Sequence, residues 1–399
     1  MPTAGDNFED SEKSSWLQEQ QASRRRTRLI CIILLALLIL GAIAGGIAGG
    51  ILAAKEHSKS SSSSTISGSH KSHGLYDSSS PEVKSLLQNP NLHKVFPGMD
   101  YTPLGAQYPE CLTSPLDQNN ITLDLAVLSQ LTPTIRLYGT DCLQTEKVLT
   151  GISRLNLNST LKVWAGVWLG NNKTTNDRQV NQLYTILDTY PQEHFAGIIV
   201  GNEVLFRKDL SPAALGEQMD NVRQKVKSKG WDLPIATSDL GDEWDAQLAG
   251  ASDLVMANVH PFFAGVPADQ AAAWTWSFWQ QHDASLKSGG KSVIAETGWP
   301  SEGGTDCGTD NPSSPSPSST AVGAVADIPS LNTFLSTWVC QSLTNGTQYF
   351  WFEAFDEPWK KIFDTPGKKW ESKWGLFDEE RNLKDGVKIP DCGGKEAGS

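Results

Sequence analysis

Basic side chains are in short supply in this sequence. The 399 residues contain 33 lysines and arginines against 45 aspartates and glutamates, which gives a formal net charge of −12 at pH 7. An acidic surface repels phosphate backbones, so this balance excludes nucleic acid as a partner. The apolar share of 39% and the charged share of 20% also exclude a disordered or collagen-like chain.

Several common catalytic signatures are absent. The sequence has no H-E-x-x-H or cysteine–histidine spacing for a metal, no G-x-S-x-G for a serine hydrolase, and no glycine-rich phosphate turn after the first predicted strand. We therefore expect no metal and no cofactor. Tryptophan, in contrast, is abundant, since thirteen of the 14 tryptophans follow residue 160. Flat indole rings are platforms that suit sugar rings.

The longest apolar run covers residues 29–54 and contains no charge. About 20 apolar residues cross a bilayer, so this run predicts a transmembrane helix. A cleavable signal peptide is disfavoured, because 28 mostly polar residues come first and the run exceeds the usual ~15 residues. Four arginines between positions 24 and 28, against two lysines soon after the run, predict a single-pass type II protein of the cell membrane.

The composition therefore divides the chain into four parts. We expect a cytoplasmic tail over residues 1–28, a transmembrane signal-anchor helix over 29–54, a serine-rich disordered stalk over 55–94 and a catalytic domain over 95–399. Twelve of the 23 residues from 58 to 80 are serine, and such a segment has too little apolar surface to fold. The catalytic domain would face the extracellular side and the cell wall.

The expected external portion carries marks of an oxidising compartment. It holds five cysteines, an odd number, so at most two disulfides form and one thiol is left over. Cys111 with Cys142 is the preferred pair, because both follow predicted early strands. Four sequons predict N-glycosylation of the asparagines at Asn120, Asn158, Asn172 and Asn345.

Eight short apolar or β-branched runs alternate with helical patterns after residue 95. The runs are FPGMDYTP, TPTIRLYGTD, LKVWAGVWLG, FAGIIVGNE, LPIATSDL, SDLVMANVHPFF, KSVIAETGWPS and TQYFWFEAFDE. Several are continuously apolar, as strands buried on both faces are. Eight β–α units over about 300 residues predict an α/β fold, a single (β/α)₈ TIM barrel, and disfavour a doubly wound sheet.

Two glutamates stand where predicted strands end, which is the edge of such a barrel that carries the chemistry. Glu203 ends the fourth strand and Glu296 the seventh. A buried carboxylate is costly unless it is paired or used, so either one alone could be a structural ion-pair partner of Arg136 or Arg207. Taken together, on strands expected on opposite sides of the barrel, they predict a facing pair.

Facing carboxylates are what cleavage of a glycosidic bond requires. One carboxyl group donates a proton to the leaving oxygen, and the other attacks the anomeric carbon. The amide of Asn202, next to Glu203, is placed to hold a sugar hydroxyl. We therefore expect Glu203 to be the proton donor and base, and Glu296 the nucleophile.

The segments around these residues resemble a known family. GNEVLFR and IAETGWPS, with TPLGAQYPEC, RLYGTDC, TSDLGDEW, NVHPFF and YFWFEAFDEPWK, are similar to the fungal branch of glycoside hydrolase family 17. With the anchor and stalk, the chain resembles its membrane-bound glucan endo-1,3-β-glucosidases. The resemblance implies retaining hydrolysis of β-1,3-glucan on a (β/α)₈ barrel, with the same roles for Glu203 and Glu296. It also implies that Tyr138, Glu357 and Lys360 line the cleft.

Three further residues at strand ends are candidates for the cleft. We expect Trp299 to stack on a glucose face. Asp239 either extends the cleft or does not reach it, and His260 either supports the cleft or is an ordinary core histidine. The sequence departs from the family in the long Pro/Ser-rich loop after Ser301, where a second cysteine near Cys307 is missing.

The expected activity is endo-hydrolysis of β-1,3-glucan, and that polysaccharide and the membrane are the expected partners. A β-1,3-glucan transglycosylase is the first alternative, because it shares the covalent intermediate and differs only in which acceptor takes the sugar. A non-catalytic glucan-binding wall protein is the second. The presence of both glutamates disfavours it.

Overall fold

The computed structural model describes residues 74–289, 291–308 and 323–398. The expected cytoplasmic tail and transmembrane segment, residues 1–54, lie outside the described residues, as does the first part of the expected stalk. Within the described ranges, no helix combines the length and the apolar content needed to cross a bilayer.

Eight parallel strands form a closed barrel. They are β1 (Gly98–Asp100), β2 (Thr134–Arg136), β3 (Lys162–Val167), β4 (Phe195–Asn202), β5 (Ile235–Leu240), β6 (Val255–Asn258), β7 (Ser292–Thr297) and, after a short hairpin described below, β10 (Tyr349–Trp351). Each strand pairs with the next in this order, and β10 pairs with β1 to close the ring. The strands coincide with the eight apolar runs of the sequence, so the predicted (β/α)₈ barrel is confirmed.

In the described part of the chain, one helix precedes β1, and seven more follow the strands β1 to β7 and cover the barrel. They are α1 (Pro81–Leu86), α2 (Gln118–Leu128), α3 (Gln144–Arg154), α4 (Lys173–Thr189), α5 (Pro212–Ser228), α6 (Ala246–Ala251), α7 (Ala268–His282) and α8 (Ile328–Asn345). Five of these helices are capped at the N-terminus by the side-chain oxygen of the preceding residue, which accepts hydrogen bonds from backbone N–H groups of the first turn. The capping residues are Asp117, Asn172, Ser211, Asp245 and Asp327. These caps satisfy donors that have no partner within the helix.

The strands are buried on both faces, which explains why their sequences do not alternate. In β4 every residue except Ala196 is buried. Gly197 shows how closely the interior is packed, because a Cβ atom there would lie 2.2 Å from the indole of Trp164. Close packing of this kind fixes the strands and therefore fixes the side chains at their C-terminal ends.

A two-stranded antiparallel hairpin interrupts the last β–α unit. Its strands are β8 (Gly304–Asp306) and β9 (Ala324–Ala326). Residues 309–322 between them lie outside the described ranges. The Pro/Ser-rich sequence after Ser301 predicts one long loop, so the hairpin is a feature that the sequence did not indicate.

Two disulfides join the described cysteines. Cys111 bonds to Cys142, which confirms the predicted pair, and Cys340 bonds to Cys392. Cys307 is an exposed free thiol. The expectation of at most two bridges and one leftover thiol is therefore confirmed for the five cysteines of the folded domain.

The folded domain begins earlier than predicted. Residues 74–94 were assigned to the disordered stalk, yet they contain α1 and pack on the barrel, with Val83 fully buried. Tyr76 donates its backbone N–H to Asn119 Oδ1 at 2.7 Å, and Ser78 donates to the Arg154 carbonyl at 3.2 Å. The stalk boundary at residue 94 is wrong, because a few apolar side chains in a serine-rich segment are enough to dock it on α2 and α3.

Candidate active site

The polar side chains expected at the strand ends meet at one edge of the barrel. Glu203 directly follows β4, and Glu296 lies near the end of β7. Two strands, β5 and β6, separate their host strands, so these are three positions apart in the ring and not on opposite sides as predicted. The two carboxylates are nevertheless linked, because a chain of hydrogen bonds runs from one to the other.

Glu296 is almost fully buried and surrounded by donors. Arg136 Nη1 donates to its Oε1 at 2.9 Å, and the Tyr138 hydroxyl donates to the same oxygen at 2.9 Å. His260 Nε2 lies 3.2 Å from Oε2. Both oxygens of the carboxylate are therefore held in fixed positions.

These neighbours keep Glu296 ionised. Burial alone would raise the pKa of Glu296, but the charge of Arg136 and the hydrogen bonds from His260 and Tyr138 outweigh it and lower the pKa to about 2. A carboxylate that stays charged in a buried site is suited to act as a nucleophile or to stabilise a cation.

Arg136 is the centre of the network and is itself completely buried at the end of β2. Besides Glu296, its guanidinium donates to the Ala295 carbonyl at 2.6 Å and to Asn202 Oδ1 at 2.7 Å, and it lies 3.5 Å from Asp100. Arg136 is one of the two arginines expected as a structural partner of a glutamate. It is that partner, and it ties both halves of the site together.

Glu203 has a different setting. The register between β4 and β5 shifts between Ile199 and Asn202, which marks a bulge, and Glu203 then adopts a φ of 53°. That left-handed conformation is rare for a residue with a Cβ and is typical of functional positions. The half-buried side chain accepts one hydrogen bond, from Asn258 Nδ2 to Oε1 at 3.0 Å.

The pKa of Glu203 moves in the opposite direction. Burial raises it, and the negative charge of Glu296 raises it further, while the hydrogen bond from Asn258 opposes both. Two carboxyl groups whose pKa values are pushed apart are what separate acid and nucleophile roles require.

Asn202 connects the two glutamates. Its Oδ1 accepts from Arg136 Nη2 at 2.7 Å and from Asn258 Nδ2 at 3.3 Å. Since the oxygen faces Arg136, the amide NH₂ points away from the network and has no protein partner among the described residues. A donor in that position, beside Glu203, is free to bind a ligand hydroxyl.

Glu357 and Lys360 extend the charged network beyond Glu296. The Lys360 ammonium contacts Glu357, lies 3.8 Å from Glu353 and sits 4.6 Å above the ring of Phe352. Burial would lower the pKa of Lys360, but the two carboxylates outweigh it and raise the pKa. The ammonium therefore remains charged at the edge of the site.

His260 supports the site by contacting Glu296 and packs against three aromatic rings. Ring centroids of Phe263, Phe352 and Trp374 lie 5.7, 5.5 and 5.3 Å from the imidazole. In the part of the chain that the structure describes, no group of three or more His, Cys, Asp or Glu side chains is arranged to hold a metal ion. The imidazole forms its hydrogen bond with the Glu296 carboxylate.

Two residues predicted to line the cleft are buried and do not reach it. Trp299 is completely buried and its indole N–H donates to the Val325 carbonyl at 2.8 Å, so the predicted stacking on a sugar is wrong. Asp239 is also fully buried, and its carboxylate accepts the backbone N–H groups of Leu205, Phe206 and Leu240. It holds the turn after Glu203 and offers no oxygen to a substrate.

Exposed aromatic rings at the same edge of the barrel were missed. Trp168 follows β3, Phe206 follows β4 and Phe263 follows β6, with 37%, 51% and 41% of their surfaces exposed. Each lies inside a motif quoted in the sequence analysis, so its position just after a strand was an available signal. Exposed flat rings around a polar cleft suit the faces of sugar rings.

The four sequon asparagines differ in exposure. Asn120, Asn172 and Asn345 are exposed, at the ends of α2, α4 and α8, and Asn158 is half-buried. Asn172 also caps α4 through its Oδ1, which accepts from the Thr175 N–H at 3.2 Å. Their modification stays a prediction.

A closed (β/α)₈ barrel with two linked glutamates of opposite pKa shift defines the class of retaining or inverting glycoside hydrolases. Comparison with known sequences is more specific. Residues 98–375 match the model of the BtgE/BtgC glycoside hydrolase domain, and the chain belongs to this family.

Similar proteins carry names for one substrate class. The probable glucan endo-1,3-beta-glucosidase btgC of Aspergillus flavus is 54% identical over 404 residues, which cover 99% of this chain and 58% of that protein. Glucan endo-1,3-beta-glucosidase btgC of Emericella nidulans is 53% identical over 334 residues, covering 82% and 51%. The chain therefore spans only about half to three-fifths of the length of these relatives.

Solved structures agree on the fold. A glycoside hydrolase family 17 beta-1,3-glucanosyltransferase from Rhizomucor miehei superposes with a TM-score of 0.61 at 26% identity, covering 76% of this chain and 99% of that one. An endo-laminarinase from Formosa Hel1_33_131 gives 0.57 at 19% identity over 79% and 92%, which bears on the fold alone.

Proposed function

We propose that this chain is a retaining endo-hydrolase of β-1,3-glucan that uses Glu203 as acid and base and Glu296 as nucleophile. The observation that carries the proposal is the pair itself. Both carboxyl groups lie at one end of the barrel, joined through Asn258, Asn202 and Arg136, and their pKa values are shifted in opposite directions.

In the first step the protonated Glu203 donates its proton to the glycosidic oxygen while Glu296 attacks the anomeric carbon. The glycosidic bond breaks, and a covalent glycosyl-enzyme forms on Glu296. Arg136 and Tyr138 both bind Oε1 of Glu296. Among the described residues the other oxygen meets only His260, so it is the better placed for attack. The amide NH₂ of Asn202 holds a sugar hydroxyl as charge develops at the anomeric carbon.

In the second step Glu203 is a carboxylate and removes a proton from water, which attacks the anomeric carbon and releases Glu296. The hydrogen bond from Asn258 favours this charged form of Glu203. Because two displacements occur at one carbon, the product keeps the configuration of the substrate.

The substrate assignment is supported by the relatives and by the rim. The Aspergillus and Emericella proteins are named for β-1,3-glucan, and an active-site mutant of the Rhizomucor enzyme is described in complex with laminaritriose. The exposed rings of Trp168, Phe206 and Phe263 provide flat surfaces for successive glucose units.

Transglycosylation is the second candidate, because the Rhizomucor protein is named a glucanosyltransferase. The chemistry is the same until a second glucan chain replaces water in the second step. A non-catalytic binding role would leave the opposite pKa shifts of the two glutamates without a use.

We also propose a type II membrane protein whose catalytic domain faces the cell wall. Its support is the uncharged run over residues 29–54 and the arginines before it. Protease treatment of intact cells tests it: digestion should remove the folded domain, which includes the residues from 74 onward, and spare an N-terminal tag. A catalytic domain that resists digestion until the cells are lysed would refute this orientation.

Incubation of the purified full chain with a linear β-1,3-oligosaccharide tests the activity. Shorter products alone establish hydrolysis, longer products establish transfer, and an unchanged substrate refutes both. Proton spectra recorded during the first minutes should show the β-anomer of the product, and an initial α-anomer would refute the covalent mechanism.

A further inference from the structure

A second set of hydrogen bonds reaches Glu203 from β5 and β6. Ser238 in β5 and Asn258 at the end of β6 are both buried, with 0% and 3% of their surfaces exposed. The Ser238 hydroxyl donates to Asn258 Oδ1 at 2.7 Å. Asn258 Nδ2 then donates to Glu203 Oε1 at 3.0 Å and to Asn202 Oδ1 at 3.3 Å.

The orientation of the Asn258 amide follows from its neighbours. Arg136 has only donors, so Asn202 must present its oxygen to the guanidinium. That oxygen can accept a second hydrogen bond from the NH₂ group of Asn258 but not from its carbonyl oxygen, so the NH₂ group faces Asn202 and Glu203. The Asn258 oxygen then faces Ser238, whose hydroxyl is the donor that it needs.

Every hydrogen-bonding group of the Asn258 amide is therefore used. A flipped amide would place its oxygen against Asn202 Oδ1 and the Glu203 carboxylate, which are both acceptors, and would lose the Ser238 bond. Ser238 also accepts the Glu203 backbone N–H through its carbonyl at 2.7 Å. The same residue thus fixes the backbone of Glu203 and the amide that binds its side chain.

The other groups that face Glu203 differ in charge. Glu296 on β7 and Asp239 on β5 are acidic and disfavour a second negative charge, whereas His260 after β6 favours it. Asn258 adds a neutral donor that binds the carboxylate directly, and a hydrogen bond of this kind favours the charged form.

Resting on the proposed function, we propose that Asn258, oriented by Ser238, is a positioning residue that readies Glu203 to ionise between the two steps. Glu203 must be neutral to donate its proton and charged to activate water. In the glycosyl-enzyme Glu296 is esterified and uncharged, but burial and the charge of Asp239 still favour the protonated form of Glu203. Without the Asn258 donor Glu203 would therefore ionise less readily, so the second step would suffer more than the first.

Three variants test this role. Asn258→Ala removes the donor, Ser238→Ala removes only the hydroxyl that orients it, and Ser252→Ala is the matched control. Ser252 is a buried serine before β6 whose hydroxyl donates to the Leu254 carbonyl at 2.6 Å, at the other end of the strand.

The first measurement is the pH dependence of kcat/KM on a β-1,3-oligosaccharide. Its high-pH limb reports loss of the proton from Glu203 in the free enzyme. Loss of a donor to a carboxylate raises that pKa, so the limb should move up by about one pH unit in Asn258→Ala. It should move less, in the same direction, in Ser238→Ala and stay in place in Ser252→Ala.

The second measurement uses an aryl β-glycoside of a β-1,3-linked glucose oligosaccharide. With this substrate, hydrolysis of the glycosyl-enzyme limits turnover. At a pH on the low-pH limb of kcat, Asn258→Ala should lower the rate roughly tenfold, because fewer Glu203 side chains are charged. A burst of aryl alcohol of unchanged rate would locate the loss in the second step. A slowed burst with unchanged steady-state turnover would contradict the role.

The outcomes separate this proposal from the proposed function. Wild-type protein without activity on β-1,3-glucan refutes the function. Active wild type with an unmoved high-pH limb in both Asn258→Ala and Ser238→Ala refutes only the positioning role. Ser238→Ala removes one hydroxyl, so it gives an answer even if Asn258→Ala does not fold.

Discussion

The two glutamates at the mouth of the barrel are the same residue type held in opposite ways. Glu296 lies inside β7, where the register with β6 shifts just before it, and its two oxygens meet an arginine, a tyrosine and a histidine. Glu203 lies just past a bulge in a left-handed conformation and meets one neutral amide. The neighbours, and not the residue type, therefore decide which carboxyl is charged at rest.

The comparison also shows why one network serves both groups. Arg136 pairs directly with Glu296, whereas it is connected to Glu203 only through the neutral amides of Asn202 and Asn258. A charge would lower both pKa values, whereas an amide transmits orientation and little charge. This difference lets one buried arginine support two carboxyl groups of different acidity.

Removal of the charged carboxylate of the pair should reduce the activity most. Glu296→Gln should lower kcat by at least ~10⁴-fold, because the amide cannot form the covalent intermediate. The melting temperature should change little, since the amide oxygen can still accept from Arg136. Activity within tenfold of wild type would show that Glu296 is not the nucleophile.

The protonated member should show a substrate-dependent loss. Glu203→Ala should lower kcat/KM on glucan by about 10²–10⁴-fold but affect glycosylation by an aryl glycoside much less, since a good leaving group needs little protonation. Rates of the first step on both substrates check this. Equal losses would exclude Glu203 as the acid.

The arginine that links the pair should have an intermediate effect. Arg136→Lys keeps a charge near Glu296 but loses the second donor to Asn202, so we expect kcat/KM to fall about 10–100-fold. The pKa of Glu296 should rise, and the low-pH limb of kcat/KM should move up with it. Arg223→Lys on α5, which pairs with Asp220 and Asp253, is the matched control and should stay within twofold. An unmoved limb in Arg136→Lys would contradict the charge argument.

A third buried acid differs from both glutamates because no side chain donates a hydrogen bond to it among the described residues. Asp283 after α7 is fully buried, and neither of its oxygens has a hydrogen-bond partner among the described residues. Burial, with the nearby charge of Asp242, raises the pKa of Asp283 to about 7. Since the folded-state pKa lies above the unfolded one, the group costs no stability below about pH 4, and the cost grows as the pH rises toward 7.

Asp283→Asn should therefore stabilise the protein above pH 7 and have little effect near pH 4. The expected gain in the free energy of unfolding at pH 8 is roughly 2–4 kcal/mol. Denaturant melts at both pH values measure it. Asp177→Asn on α4, an exposed pair with Lys173, should change less than about 0.5 kcal/mol. Equal effects at pH 4 and pH 8 would rule out ionisation of Asp283 as the cause.

Much of the fold could be predicted because its signals are local. Strands buried on both faces leave continuous apolar runs, and a carboxylate ending such a run, as Glu203 and Glu296 do, is conspicuous. The pairing of Cys111 with Cys142 followed from the same strand positions. The hairpin of β8 and β9 left no such trace, because β8 is the mostly exposed segment GTD and has no apolar side chain.

The roles of the neighbouring residues could not be read in the same way. Trp299 and Asp239 stand at strand ends like the true cleft residues, but one points into the core and the other binds backbone N–H groups. Sequence position does not reveal which way a side chain points once a strand has ended. Asn258 was missed because its partners, Ser238 and Glu203, are 20 and 55 positions away.

The disulfide between Cys111 and Cys142 has a practical consequence for recombinant production. It crosslinks the loops after β1 and β2, and Tyr138, whose hydroxyl binds Glu296, stands four positions before Cys142. Material made in a reducing bacterial cytosol would lack this crosslink beside the nucleophile, while the β4–β6 side that supports Glu203 contains no cysteine and would be unaffected. Expression hosts with an oxidising secretory route are therefore the appropriate source of enzyme.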